Sequence, residues 1–385
     1  MTPRIAVVEH GDAREARRLR AAGAPEPYFG MHDSQGYIDR WVAGRPHLIV
    51  SLNAPHYRDH DNEGILLGLP EPQPIGRLPG TITHIRWANQ ISRQLRDFRP
   101  THFLLRTGSL LGAMLLRTAI RHHWFTLAMF AGVFPRARPY DRLLTCEIVR
   151  LLNHPLVFAA GNHRQPATDS MFEAGLHPNK AIAWDYTGVT REPADFQVKR
   201  LTAGPTEIVY AGVLSVAKGV AEVIDATIAL RLANRDVRLT LIGTGPDMAA
   251  FQTRSAPLGN AIAFLGRVPN DEVFRRMAAA TLVCVPSRHE FPEGFPQTLT
   301  EALVSRTPVM ASDHPVFTRV LRDGEGLRYF PAGDTAALAS RMSAVLNDSA
   351  VYEDLSRQTA VAYEKLRCRV RFDDVIEAWL PAPRH

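Results

Sequence analysis

The chain has 385 residues, of which 45% are hydrophobic and 22% charged, enough apolar material for two packed cores and too balanced a mixture for global disorder. Its three cysteines, Cys146, Cys284 and Cys368, are odd in number and widely spaced, which excludes a disulfide framework and a paired-cysteine zinc site. The net charge of +6 is uneven: residues 1–180 carry 22 Lys+Arg against 15 Asp+Glu, the remainder 23 against 24.

In chain order, the first expected strand is Arg4–Glu9, an apolar run that stops at His10-Gly11-Asp12. Glu9 and His10 fall where a signal peptide needs its apolar stretch, so the reading is a cytoplasmic protein without a targeting segment. A helix is expected at Ala13–Arg20 and a second buried strand at His47–Leu52. Helices at Thr83–Phe98 and Leu110–Ile120 then alternate with apolar runs at Phe103–Leu105, Trp124–Met129 and Leu156–Ala160. The first half reads as an α/β domain.

Eleven arginines against three acids occupy residues 86–150: Arg86, Arg93, Arg96, Arg99, Arg106, Arg117, Arg121, Arg136, Arg138, Arg142 and Arg150. Such a stretch attracts anionic partners. Arginines interrupt its apolar part, so it does not span a bilayer. Two readings of residues 110–120 stay open: a helix whose apolar face is core, or an interfacial helix inserting Leu110, Leu111, Met114, Leu115 and Ile120 with Arg106, Arg117 and Arg121 at the head groups. Nucleic acid is not expected, since no aromatics interleave the arginines on a recognisable module.

Ala203-Gly204-Pro205-Thr206 punctuates the chain before a cleaner alternation. Strands are expected at Ile208–Ala211, Leu239–Ile242, Ala261–Leu265, Leu282–Val285, Pro308–Ala311 and Leu327–Phe330, separated by helix-like segments as in a parallel sheet. Residues from Ser349 to Leu380 read as helical. The expected organisation is 1–190, 200–365 and a terminal helix in 366–385.

The segment Pro286 to Leu303 follows a strand, holds turn-forming prolines and a glycine, and enters a helix that includes Glu301. Ligands of parallel sheets bind at such strand-to-helix loops, and a helix start near Gln297–Leu299 offers N–H groups to a phosphate. Glu293 and Glu301, eight positions apart, can serve different parts of one ligand.

Glu293-x7-Glu301 within Glu-Gly-Phe-Pro-x4-Glu-Ala-Leu, followed by Thr307-Pro308-Val309-Met310-Ala311-Ser312, resembles the signature of the retaining glycosyltransferases of family four. Gly212 before Lys218-Gly219, Leu241 to Pro246, and Ala263 to Val268 resemble that family's first three donor-side strands and loops. The resemblance covers about residues 205–335. It implies a GT-B fold of two Rossmann-like domains facing across a cleft, with the acceptor in the first domain, a UDP- or GDP-linked sugar in the second, and the terminal helix crossing back to the first. It also implies no cofactor and no metal ion.

By the same resemblance, Lys218 neutralises the donor diphosphate, Glu293 with the Gly294-Phe295 backbone holds the sugar, and Glu301 holds the ribose. Gly212, Gly243, Gly245, Thr298 and Leu299 line the nucleotide, and Arg267-Val268 lies beside its base. Gly11 is the first-domain candidate facing the donor phosphates, His102, His122 and His123 are the candidates for a histidine of the acceptor cleft near the reacting centre, each also readable as a surface or core histidine, and Gly175-Leu176-His177-Pro178-Asn179-Lys180 resembles the family's last first-domain segment. One departure stands out: the family places an arginine after the first donor-side glycine, and here that position is Val213, so that either another cation substitutes, with Arg288 and the first-domain arginines as candidates, or donor binding is weakened, or catalysis is lost. The expected function is transfer of a sugar to a glycan or lipid-linked acceptor in surface polysaccharide or glycolipid synthesis, with the basic stretch touching the inner face of an anionic membrane. The alternatives are a nucleotide-sugar epimerase or hydrolase of the same fold and, from Val213, a lapsed binding or scaffold protein.

Overall fold

The computed structural model describes residues 2–24, 30–61, 63–72, 80–132, 134, 139–186, 191–291 and 293–381. Arg136 and Arg138 of the basic stretch and Pro292 of the motif loop lie outside the described residues. The chain divides into two compact units, residues 1–189 with 368–385, and residues 190–367.

The first unit is built on strands β1 (Ile5–His10), β2 (His47–Leu52), β3 (Tyr57–His60), β4 (Gly64–Leu69), β5 (His102–Leu105), β6 (Phe125–Phe130), β7 (Val157–His163) and β8 (Ala181–Trp184). They lie in the order β3-β4-β2-β1-β5-β6-β7-β8, and only the edge pair β3–β4 is antiparallel. Helices cover both faces. One core packs Trp87, Ile91, Leu115 and Leu116 on Phe103 and Leu105; the other packs Ile38, Trp41, Phe372 and Trp379 on Ile49, Leu104 and Trp184. Strands buried on two faces have no polar side to alternate with, which explains their continuous apolar runs.

The second unit carries β9 (Thr206–Ala211), β10 (Val237–Ile242), β11 (Ile262–Phe264), β12 (Leu282–Val285), β13 (Val309–Ser312) and β14 (Leu327–Phe330), all parallel, in the order β11-β10-β9-β12-β13-β14. Its two cores lie on opposite sheet faces. The carboxyl ends of all six strands therefore share one edge, and the loops leaving them form the site.

Several elements differ from the sequence reading. No strand was expected at β3, β4 or β8, and the first of these carries the alternating burial of an edge strand rather than an apolar run. The helical stretch expected from Ser349 to Leu380 is two helices, Ser349–Leu366 and Phe372–Trp379. Arg371 forms a parallel bridge with Asp185 between them, so the second helix belongs to the first unit. In the helix Leu110–Arg121, Leu111, Leu115 and Leu116 are core residues, with Met114 and Ile120 packed against them. This corrects the interfacial reading for Leu111 and Leu115, which are buried in protein; Leu110, Met114 and Ile120 are half-buried.

Candidate functional site

In the second unit the chain leaves β9 through Gly212, forms a short turn at Val216–Lys218, and starts the helix Val220–Leu232. Gly219 adopts φ +69°, and a Cβ there would stand 2.1 Å from the Pro286 carbonyl oxygen. Only glycine lets the Lys218 turn press against the loop after β12. Likewise a Cβ on Gly243, at φ +125°, would stand 2.0 Å from the Gly212 carbonyl. Gly243, one of the glycines expected to approach a nucleotide, thus first allows two neighbouring loops to touch.

The loop after β12 delivers Glu293, 5% exposed, to Lys218. Lys218 Nζ donates to Glu293 Oε1 and stands 4.1 Å from the centre of the Phe291 ring, a cation–π contact. Ser287 Oγ donates to the same carboxylate oxygen. The loop is fixed from behind: Ser312 Oγ donates to the Ser287 carbonyl at 2.6 Å, and His314 Nε2 lies 3.1 Å from the Phe291 carbonyl. Burial holds the His314 pKa below its ordinary value, which favours the neutral ring. Tyr210, under the loop, donates to the Val213 carbonyl at 2.8 Å. Burial, then the Glu293 charge, raises its phenol pKa, so it stays protonated.

Glu301 is a buried residue of the helix Gln297–Val304, whose N-terminus sits at the same sheet edge. Leu299 corrects the sequence reading. Its side chain is wholly buried in a core and its N–H donates to the Pro296 carbonyl at 3.1 Å, leaving it nothing to offer a ligand. Phe295 is buried against Phe317, so only its backbone can serve. Thr298 and Val268 are half-buried, and Arg267 is exposed at the end of β11. Val213 is 48% exposed and brings no charge.

Ser287, Phe291 and Glu222 were not singled out from sequence. Arg288, following Ser287, donates through Nε to Glu222 Oε1 at 2.8 Å. Position after a strand end was the one available signal for Ser287; for Glu222, on a helix 66 residues from its partner, there was none.

The first unit has its own carboxyl edge. Glu9, 1% exposed, accepts from Arg106 Nη1 at 2.7 Å and from Gln35 Nε2. Gly11 adopts φ +100° and its N–H donates to Leu52 O at 3.0 Å, so that Asp12 can cap the helix Ala13–Ala21 by accepting from Glu15 N. His10, Arg106, Thr107, Ser109, Phe130 and Trp184 are among the residues lining a pocket of about 620 Å³. His163 and Arg164 pair with Asp185 at 3.1 Å each.

His102 is a correction. It opens β5, at the sheet edge opposite Gly11, and is 2% exposed between Phe125 and Trp379. It belongs to the core. His122 stacks on Trp124 at the exposed end of a helix.

The expectation of no metal ion overlooked one Asp-x-Asp sequence, Asp59-His60-Asp61. These carboxylates sit on the edge strand β3 and beyond it, Asp59 paired with Arg14 at 3.6 Å and Asp61 with Arg17 at 2.8 Å. Among the described residues no group of three metal-ligating side chains converges. No described helix is long and apolar enough to cross a membrane.

Comparison with known proteins follows this division. Residues 192–361 match the family described as Glycosyl transferases group 1. Over 150 residues the chain is 36% identical to the phosphatidyl-myo-inositol mannosyltransferase of Mycobacterium leprae, a match covering 39% of this chain and 38% of the relative. The chain is thus aligned with well under half of that protein. Among solved structures, the sucrose-phosphate synthase of Thermosynechococcus elongatus aligns with TM-score 0.63 at 15% identity, covering 94% of this chain and 95% of that one. Anabaena HepE in complex with UDP aligns with TM-score 0.64 at 13% identity, covering 97% and 98%. At these identities the whole-chain likeness shows the fold. The chain has the GT-B fold, and residues 192–361, within its second unit, match the group 1 glycosyl transferases.

Proposed function

We propose that the chain is a metal-independent, retaining glycosyltransferase that moves a sugar from a UDP- or GDP-linked donor to a glycan or lipid-linked acceptor. The observation that carries this reading is the Lys218–Glu293 pair at the carboxyl edge of the group 1 domain. Residues 200–365 hold the donor and residues 1–190 the acceptor. When the donor enters, Lys218 turns from Glu293 to the diphosphate and stabilises its departure; Glu293, released, accepts from sugar hydroxyls, and Glu301 from the ribose. The acceptor oxygen bonds to the anomeric carbon as the bond to the diphosphate breaks, and the acceptor proton passes to the departing phosphate. Retention rests on the Glu293-x7-Glu301 resemblance. HepE, a GT-B neighbour, was solved with UDP, which supports a uridine donor, and the mannosyltransferase relative supports a lipid-linked acceptor.

Peripheral contact with an anionic membrane is proposed for the basic helices of the first unit. Arg86, Arg93, Arg121 and Arg142 are exposed there, and so are Ile82, Ile85, Tyr140 and Leu143; together they offer charge and apolar surface.

Calorimetric titration with UDP, GDP and ADP, in parallel with a Glu301→Ala variant, tests the donor site. Binding of one diphosphate that weakens in the variant is expected. Binding of none would favour the lapsed protein suggested by Val213. Product analysis with and without acceptor separates transfer from hydrolysis or epimerisation.

A further inference from the structure

A diphosphate is a multiply charged anion, and the donor reading supplies it with one lysine. Among the described loops leaving β9 to β14 at the carboxyl edge, the only Lys and Arg residues are Lys218, Arg267 and Arg288. Arg267 follows β11, which β10 separates from β9, so it starts about two strand spacings, roughly 10 Å, from the strand that delivers Lys218. Arg288 follows β12, the direct neighbour of β9, and its N–H donates to the carbonyl of Ala217, next to Lys218, at 3.0 Å. The two cations therefore start from adjacent, hydrogen-bonded loops.

The Arg288 side chain is held in an incomplete pair. Its Nε and Nη2 both donate to one oxygen of Glu222, Oε1, while Oε2 of that carboxylate is buried with no hydrogen-bond partner among the described residues. Glu222 has a side chain 3% exposed, but that of Arg288 is 32% exposed and lines a pocket of about 670 Å³ with His289, Glu290 and residues 332–335. A closed fork-to-fork pair would use both carboxylate oxygens. This one spends a single oxygen and leaves an exposed flank on the guanidinium. The arrangement parallels Lys218, 15% exposed and held by the buried Glu293. Lys218 and Arg288 are each steadied by a buried carboxylate and keep part of the side chain exposed.

We propose that Arg288 is the second diphosphate-binding cation of this protein, presented by Glu222 and replacing the charge that Val213 lacks. The proposal rests on the donor reading above. Arg288 meets phosphate oxygens through Nη1 on the open flank of the guanidinium, while Nε and Nη2 stay on Glu222 Oε1 as its rear support.

The test uses the full chain and the nucleoside diphosphate that binds it among UDP, GDP and ADP, together with the matching monophosphate. Since Arg288→Ala alone would strand a buried carboxylate, the comparison is between Glu222→Gln and the double variant Glu222→Gln/Arg288→Ala, each checked for folding by circular dichroism. Glu222→Gln keeps an acceptor behind the guanidinium and serves as the reference, and it is expected to retain binding of the diphosphate. The double variant should bind it about ten- to a hundredfold more weakly, with the monophosphate much less affected. Adding Val213→Arg to the double variant should restore at least part of the loss. Equal affinity of the two variants for the diphosphate, or an equal loss for both nucleotides, would overturn the assignment. Absence of binding to the wild type would overturn the donor reading, and this proposal with it. Arg288→Lys, which keeps the charge without the fork, should fall between wild type and double variant if the double variant fails to fold; affinity equal to wild type would also count against the proposal.

Discussion

The carboxyl edges of the two sheets both set cations on buried carboxylates, yet at their extremes they treat them differently. In the first unit the Arg164 side chain, 1% exposed and at φ +67°, is closed on Asp185. In the second unit Arg288 leans on the buried Glu222 while keeping 32% of its side chain exposed. Arg106 on Glu9 and Lys218 on Glu293 lie between them, at 14% and 15%. A cation enclosed with its partner fixes loop geometry. One that is merely steadied can meet a ligand with its open face, because little further desolvation is required. The difference separates a charge that holds the fold from one that can meet a ligand.

The largest effect should come from opening the closed pair. Asp185→Ala leaves Arg164 buried without its counter-charge, and a loss of about 3–5 kcal/mol is expected in urea unfolding. Glu222→Gln should cost much less, since Arg288 can turn to solvent. Equal costs would erase the distinction between the edges. Next, Lys218→Ala should lower sugar transfer by about a hundredfold or more, with the far-ultraviolet spectrum unchanged; retained turnover would show that the exposed face of this cation is unused.

Lys199 sharpens the comparison from the opposite side. It lies at the other end of the second sheet, donating to Ala280 O at 2.7 Å and Thr307 Oγ1 at 2.6 Å, with no carboxylate partner among the described residues. Burial pushes its pKa from 10.5 down to about 7. The unfolded chain therefore holds a proton that the folded chain has released between those values, and stability rises with pH across that window. The slope is at most about 1.4 kcal/mol per pH unit. Urea midpoints at pH 7.5 and 9 should show this rise in the wild type and its loss in Lys199→Met. An unchanged slope would mean that burial alone does not discharge a lysine here.

The smallest effect concerns the outer face of the first unit. Arg121→Glu should leave stability within about 0.5 kcal/mol and weaken binding to phosphatidylserine vesicles by roughly fivefold or more, from about 1 kcal/mol per basic residue. Unaltered vesicle binding would remove the basic helices from the membrane proposal.

The α/β class and most strands were legible because a parallel strand buried on both faces writes itself as an unbroken apolar run. His47–Leu52, Leu282–Val285 and Leu327–Phe330 coincide with the runs read from sequence. The edge strand Tyr57–His60 was not, because half its residues face water. The apolar pattern of Leu110–Arg121 could not tell a core face from a membrane face, since both bury the same side chains; the sheet beneath it decided. His102 shows the same limit for sites, as its chemistry was visible but not the end of the strand on which it stands.

By itself the sequence determined what is local: strand runs, the glycines that end them, and the loop that presents Glu293 and Glu301. Tertiary structure alone decided the pairings, Lys218 with Glu293 across 75 residues, Arg288 with Glu222 across 66 and Arg106 with Glu9 across 97. Charge partners are chosen by strand order and by which carboxylate is buried, and neither property belongs to any one segment of the chain.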